Sequence, residues 1–86
     1  MFCKITSVKA LENYTLLIGF DDGKKFIYDI LSLCEKFEVF RDLKTIKGLF
    51  KQVKIEPKGY ALSWNSSIDI SADEIYFGDT TKFVGG

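Results

Sequence analysis

The residues of this chain that could do chemistry are mainly carboxylates, and they cluster late in the sequence. Asp69, Asp73, Glu74 and Asp79 follow the single tryptophan, Trp64, within a short stretch. Paired carboxylates can act as general acid and base in hydrolysis, but only in a cleft that shifts their pKa values. The same residues suit helix capping and a solvated face, or an acidic surface that docks a basic partner. We take capping as the simplest interpretation and docking as the functional alternative.

Other catalytic chemistry has little support in the sequence. The chain contains no histidine, which removes the commonest general base and the commonest metal ligand. No serine, threonine or cysteine has an identifiable base beside it. We interpret Cys3 and Cys34, which lie far apart, as reduced and buried thiols. We therefore expect no enzyme activity, no metal and no cofactor.

Five residues are candidates for binding. Trp64 alternates with Tyr60 along one predicted strand, so it belongs to the core or, if exposed near Tyr76, to an interface. Asp69 follows Trp64 closely, and Asp29 is flanked by apolar residues. Asp29 is expected to cap a helical turn; the competing hypothesis is a small-molecule or enzymatic site that uses Asp29 or Asp69 near Trp64.

A basic stretch precedes the acidic one. It contains Lys44, Lys47, Lys51, Lys54 and Lys58. These lysines suit the solvated side of a helix and of the next strand, or a contact with an anion or an acidic protein. Because the two stretches carry opposite charge, salt-sensitive self-association is a further hypothesis.

Composition limits the class of protein. The 86 residues suffice for one domain, which we place at 1–78, with a flexible tail at 79–86. Twelve basic residues balance twelve acidic ones, which argues against direct nucleic-acid binding. No apolar run approaches the roughly 20 residues that span a bilayer. We expect a cytoplasmic protein.

The apolar pattern predicts a hairpin. Alternating apolar residues at 13–20 and a returning run at 24–30 flank the turn Asp21–Gly23. Other extended segments are predicted at 2–11, 52–56, 60–64 and 68–70. We therefore expect an α+β fold, with a small antiparallel sheet of about five strands, one principal helix and one or two short helical turns.

The principal helix is predicted over 43–53, where apolar residues recur every three or four positions. Gly48 lowers helix propensity, and a shorter helix over 43–50 is the alternative.

A short helix is predicted after Ser71. Ser71 and Glu74 have the spacing of a capping box. Ile75 and Phe77 would then dock this helix on the core.

An ordered set of segments resembles a small bacterial family, domain of unknown function 2442. The segments are YTLLIGFDDG at 14–23, YDI at 28–30, FKQV at 50–53, GYALSW at 59–64 and DISADEIY at 69–76. Two positions depart from the family pattern: Asn65 and Ala72 stand where relatives usually have proline. The departures would make the turn after Trp64 and the start of the last helix less rigid.

The resemblance implies a small α+β fold like the N-terminal domain of relatives that carry a fused helix-turn-helix domain. We expect no such domain here, because the chain is too short. Neighbouring genes in the family imply a toxin–antitoxin-like or regulatory pair. The resemblance brings no catalytic residues. The leading hypothesis is a non-enzymatic interaction module that binds a protein partner or forms a homodimer. An indirect link to DNA is another alternative.

Overall fold

The computed structural model describes residues 4–65, 67–77 and 81–85, the last of these as backbone only. Alternating apolar residues fold the first part of the chain into a meander. Its strands are β1 (Ile5–Ala10), β2 (Thr15–Phe20) and β3 (Lys25–Asp29). β2 pairs antiparallel with both neighbours, and Gly23 takes a φ of +88° between β2 and β3. The predicted hairpin is confirmed.

The strands form two sheets rather than one. The remaining strands are β4 (Lys54–Ile55), β5 (Ala61–Asn65), β6 (Ile68–Ser71) and β7 (Thr81–Gly85). The strand orders are β1-β2-β3-β7 and β4-β5-β6, with antiparallel pairs throughout. The α+β class is confirmed, while the expected single sheet of about five strands is corrected to two. A helical connection separates β3 from β4, so β4 to β6 pair among themselves.

The principal helix predicted over 43–53 does not form. The helix α2 (Asp42–Thr45) ends because Ile46 is extended and Gly48 takes a φ of +82°. The chain then continues into a short 3₁₀ turn at Phe50–Gln52. The longest helix in the described ranges is α1 (Ile30–Lys36). None of the described helices has the length and apolar character needed to cross a membrane.

The short helix α3 (Ala72–Phe77) follows β6 directly. The backbone N–H of Glu74 donates to Ser71 Oγ at 3.1 Å, which is the first half of the predicted capping box. Ile75 is fully buried, as predicted. Phe77 is instead 69% exposed, because it shares the solvent side of α3 with Glu74, one turn earlier. The prediction that Phe77 docks on the core is corrected.

Side chains from both sheets join in one apolar core. β2 contributes Leu16, Ile18 and Phe20, which share a face because alternate residues of a strand point the same way. β5 contributes Leu62 and Trp64. Burial of each large apolar side chain contributes about 1.5–3 kcal/mol, so this core is the main stabilising element of the fold.

The two sheets meet at the turn Pro57–Gly59. A Cβ atom on Gly59 would lie 2.7 Å from the backbone oxygen of Ile5, so β1 passes directly against this glycine. Gly59 takes a φ of +75°, a left-handed conformation that glycine adopts readily because it has no Cβ atom. The turn therefore requires glycine for its backbone shape and for its closeness to β1.

Residues 81–85 lie in the segment expected to be a flexible tail, and the structure places them in β7, paired antiparallel with β3. Without β7, β3 would leave a row of backbone groups unpaired at the sheet edge. Residues 78–80 and 86, which include Asp79, lie outside the described residues.

Candidate functional site

Two consecutive elements, β6 and α3, present acidic and aromatic side chains to solvent. Alternation along β6 turns Asp69 outward, and helical spacing places Asp73, Glu74 and Phe77 on the exposed side of α3. Phe37, at the end of α1, is 53% exposed and lines a hollow together with Asp69 and Glu74. We call Phe37, Asp69, Asp73, Glu74 and Phe77 the acidic–aromatic face.

The hollow within this face has a volume of about 280 Å³. Its lining residues include the aromatic residues Phe37 and Phe40 and the acidic residues Asp69 and Glu74. Carboxylates bind cations through charge-assisted hydrogen bonds, and aromatic rings attract cations at their faces. The hollow can therefore hold the positively charged end of a lysine or arginine side chain.

Trp64 lies beneath the surface rather than on it. Its side chain is 4% exposed, and its indole N–H donates to the Phe50 carbonyl at 3.0 Å. Its ring meets the edge of Phe40, with centroids 6.3 Å apart. The structure therefore supports the interpretation of Trp64 as a core residue. Its ring packs against Phe40, which lines the hollow.

Asp29 is engaged in capping. Its Oδ1 accepts from the Leu31 backbone N–H at 3.0 Å, and its Oδ2 accepts from the Ser32 hydroxyl at 3.2 Å. This is the expected N-cap of α1. Asp69 lines the hollow, whereas Asp29 and Trp64 are not among its lining residues.

The two candidate tyrosines lie in different settings. Tyr60 is 48% exposed, with the Lys4 ammonium group 5.7 Å from its ring centroid. Tyr76 Oη donates to Asp22 at 2.7 Å and accepts from Lys24 Nζ at 2.9 Å. The Tyr76 ring also meets Phe77 at 4.9 Å, so Tyr76 fixes the end of α3 that carries the exposed Phe77.

Three lysines of the basic stretch line a groove. A second hollow, of about 530 Å³, is lined by Tyr14, Lys44, Ile46, Lys47 and Lys51, which we call the basic groove. Ile46 is 50% exposed among these lysines, because the chain leaves α2 just before it. The groove therefore combines positive charge with exposed apolar surface. Lys54 and Lys58 are not among its lining residues.

Sequence reasoning missed the exposed apolar members of both surfaces. The predicted helix over 43–53 includes Ile46 in its apolar pattern, the prediction for the helix after Ser71 docks Phe77 on the core, and no prediction covers Phe37. The spacing of Phe77 one turn after Glu74 was an available signal for its exposure. For Ile46 the available signal was Gly48, whose positive φ accompanies the break in the helix.

Cys34 is a free and buried thiol. Its Sγ donates to the Phe40 carbonyl at 3.2 Å. Burial raises the pKa of the Cys34 thiol, while nearby Lys44 acts in the opposite direction. Cys3 lies outside the described residues. Within the described ranges, no three Asp, Glu or Cys side chains group as metal ligands.

A comparison with known protein families identifies the family to which this chain belongs. Residues 5–81 match the family described as protein of unknown function (DUF2442). The chain belongs to this family. No curated protein and no solved structure matches the chain. Membership in DUF2442 confirms the resemblance that the ordered segments carry.

The structure explains the two departures from the DUF2442 pattern. Asn65 Oδ1 accepts from the backbone N–H groups of Ser67 and Ile68 at 2.9 and 3.0 Å, so a side chain holds the turn at a position where the resemblance implies proline. The backbone N–H of Ala72 donates to the Tyr60 carbonyl at 2.8 Å. Proline has no N–H and could not make this bond. Each departure therefore supplies a hydrogen bond in place of proline rigidity.

Proposed function

We propose that this DUF2442 protein is a non-enzymatic protein-interaction module. Its acidic–aromatic face would contact a protein segment that carries both basic and apolar side chains. The observation that carries the proposal is the exposure of two phenylalanines near carboxylates: Phe37 lines the hollow with Asp69 and Glu74, and Phe77 follows Glu74 by one turn of α3.

The face combines the two properties that a recognition surface needs. Exposed aromatic rings lose contact with water on docking and supply most of the binding energy at interfaces. The carboxylates around them attract basic partners and repel acidic ones, which increases the association rate and the selectivity. Tyr76 already holds Phe77 in contact, so little side-chain entropy is lost when a partner binds.

The non-enzymatic part of the proposal rests on the contacts of Asp29, Trp64 and Asp69, the residues that the competing hypothesis places in an active site. Asp29 is engaged in capping α1, and Trp64 is engaged with Phe50 in the core. Asp69 is an exposed strand residue beside aromatic rings. Each of these placements suits structure or recognition better than catalysis.

The cellular setting is part of the same proposal. We place the protein in the bacterial cytoplasm, as one member of a toxin–antitoxin-like or regulatory pair. The partner would present lysine or arginine next to an apolar side chain. Any link to DNA would pass through that partner, because the balanced charge of this chain gives no general attraction to nucleic acid.

Site-specific photo-crosslinking in living cells tests the proposal. A benzophenone amino acid replaces Phe77 in one strain and Phe37 in another, with Tyr60, which is equally exposed outside the face, as the control position. We expect Phe77 and Phe37 to yield the same discrete adduct, and the double change Asp73→Lys with Glu74→Lys to abolish it. An equal adduct from Tyr60, or none from either phenylalanine position, would contradict the proposal.

A further inference from the structure

We propose that the acidic–aromatic face of one molecule docks in the basic groove of a second copy, giving head-to-tail association. This inference rests on the proposed function, because it takes the acidic–aromatic face as a docking surface and names a partner for it.

The two surfaces are complementary in charge. Lys44, Lys47 and Lys51 surround the basic groove, with Glu12 as an opposing charge at its edge. The other surface carries Asp69, Asp73 and Glu74, all exposed. Opposite charge on two sides of an interface sets register and disfavours wrong pairings, so each surface repels its own kind and attracts the other.

The two surfaces are also complementary in their apolar content. The groove exposes Ile46 between its lysines, and α3 exposes Phe77 beyond its carboxylates. An aromatic anchor needs an apolar pocket with a charged rim. The volume of the groove, about 530 Å³, is within the range of roughly 300–1,000 Å³ that ligand pockets occupy. The ring of Phe77 therefore fits a site that Ile46 helps to line.

The groove wall is held in an unusual backbone conformation. Asn13 and Tyr14 both adopt positive φ angles, 59° and 57°. Such conformations cost of the order of 1–3 kcal/mol each in residues other than glycine, and they cluster at binding sites. The Tyr14 ring lies 5.2 Å from Phe50, and both residues line the groove.

The geometry favours an open chain of molecules over a closed pair. Tyr14, which lines the groove, lies at the start of β2. Tyr76 binds Asp22 and Lys24, which lie beyond the end of β2. The six residues of β2 separate these two ends by roughly 17–20 Å. When unlike patches at opposite ends of a molecule meet, the contact is heterologous; it leaves one free patch at each end of an open assembly and consumes both only if the rotation closes a ring of several copies.

Mixing two half-disabled chains tests this geometry directly. One variant carries Lys44→Glu and Lys47→Glu in the groove, and the other carries the neutral changes Asp73→Asn and Glu74→Gln on α3, so that the two altered surfaces do not attract each other. Each keeps one intact surface, so neither should self-associate in sedimentation velocity. An equimolar mixture should form a one-to-one dimer through the two intact surfaces, with no larger species. Wild type should form larger, concentration-dependent species that 0.5 M salt weakens by about ten-fold or more.

Control variants separate this effect from a general change of charge or loss of fold. Lys9→Glu with Lys25→Glu reverses two exposed lysines outside the groove and should associate like wild type. Far-UV circular dichroism should report the same fold for every variant. A wild-type protein that stays monomeric up to about 1 mM, or a mixture that stays monomeric, overturns the inference.

The failures of the two proposals are distinguishable. If the Phe77 crosslink captures a different protein while the purified chain stays monomeric, self-association is wrong and the interaction module stands. If neither crosslink nor assembly is found, both are wrong. If the groove variant alone still forms dimers, the contact is two-fold and does not use the groove.

Discussion

Two serines on β5 and β6 have opposite environments. Ser71 Oγ accepts the Glu74 N–H and so caps α3. Ser63 is 3% exposed, and its hydroxyl has no hydrogen-bond partner in the described part of the chain. A buried hydroxyl without a partner is destabilising, whereas a capping hydroxyl is stabilising.

Alanine at these two positions should therefore change stability in opposite directions. Ser63→Ala should raise the free energy of unfolding by about 1 kcal/mol, because no hydrogen bond is lost. Ser71→Ala should lower it by about 0.5–2 kcal/mol. Urea denaturation followed by circular dichroism measures both changes. A loss of stability in Ser63→Ala would mean that the hydroxyl has a bonding partner, such as a buried water.

Cys34 should make stability depend on pH in the alkaline range. Because burial raises the pKa of its thiol, the folded state keeps the proton to a higher pH than the unfolded chain does. The stabilisation is fully present below the pKa of an unfolded cysteine, about 8.5, and is lost as pH rises from there through the folded pKa. The free energy of unfolding should thus fall above about pH 8.5 more steeply in wild type than in Cys34→Ala.

Cys3 is present in both chains of that comparison, so the difference in slope isolates Cys34. Equal slopes would show that the Cys34 thiol titrates alike in the folded and unfolded states.

At the level of elements, turns decide where regular structure stops. Gly48 and Gly59 both take positive φ angles, but their surroundings differ. A Cβ on Gly48 would meet nothing within 4 Å, whereas one on Gly59 would press on the backbone of Ile5. Gly48 therefore only sets the backbone conformation after α2. Gly59 sets the conformation of its turn and also permits the two sheets to meet.

Alanine substitution should separate these two roles. Gly48→Ala should cost about 1–2 kcal/mol of stability, the price of a left-handed conformation alone. Gly59→Ala should cost about 3 kcal/mol or more, since β1 or the turn must also move. Chemical denaturation of the two variants side by side gives the comparison, with Gly48→Ala as the matched control. Equal losses would contradict the close contact between Gly59 and β1.

At the level of the whole molecule, two sheets share one core. Trp64 reports on the second sheet, while far-UV circular dichroism reports on all secondary structure. Because β5 packs into the same apolar cluster as β2, neither sheet has a core of its own. The molecule should therefore unfold as one cooperative unit.

Coincident unfolding curves check this prediction. The midpoints from Trp64 fluorescence and from circular dichroism should agree within error in urea. A fluorescence transition at clearly lower urea would mean that the second sheet unfolds by itself. Trp64 serves well as the probe because its burial and its bond to Phe50 are both lost on unfolding.

The sequence by itself determined the local features of this protein. The turn at Gly23, the capping roles of Asp29 and Ser71, the α+β class and the family follow from short-range patterns. Each depends on neighbouring residues, through backbone conformation or through a side chain that reaches an adjacent N–H group. Such interactions act within a few positions of the chain and can be read directly from it.

Only the tertiary structure decided which apolar residues are exposed and which sheets form. Phe77 and Trp64 are both large aromatic residues, yet one lies in solvent and the other in the core. Their difference depends on which elements pack against α3 and β5, and that depends on long-range contacts absent from any local pattern. Two of the late carboxylates, Asp69 and Glu74, thereby lie with Phe37, the residue that follows α1, around one hollow, and this juxtaposition makes them part of a candidate docking surface.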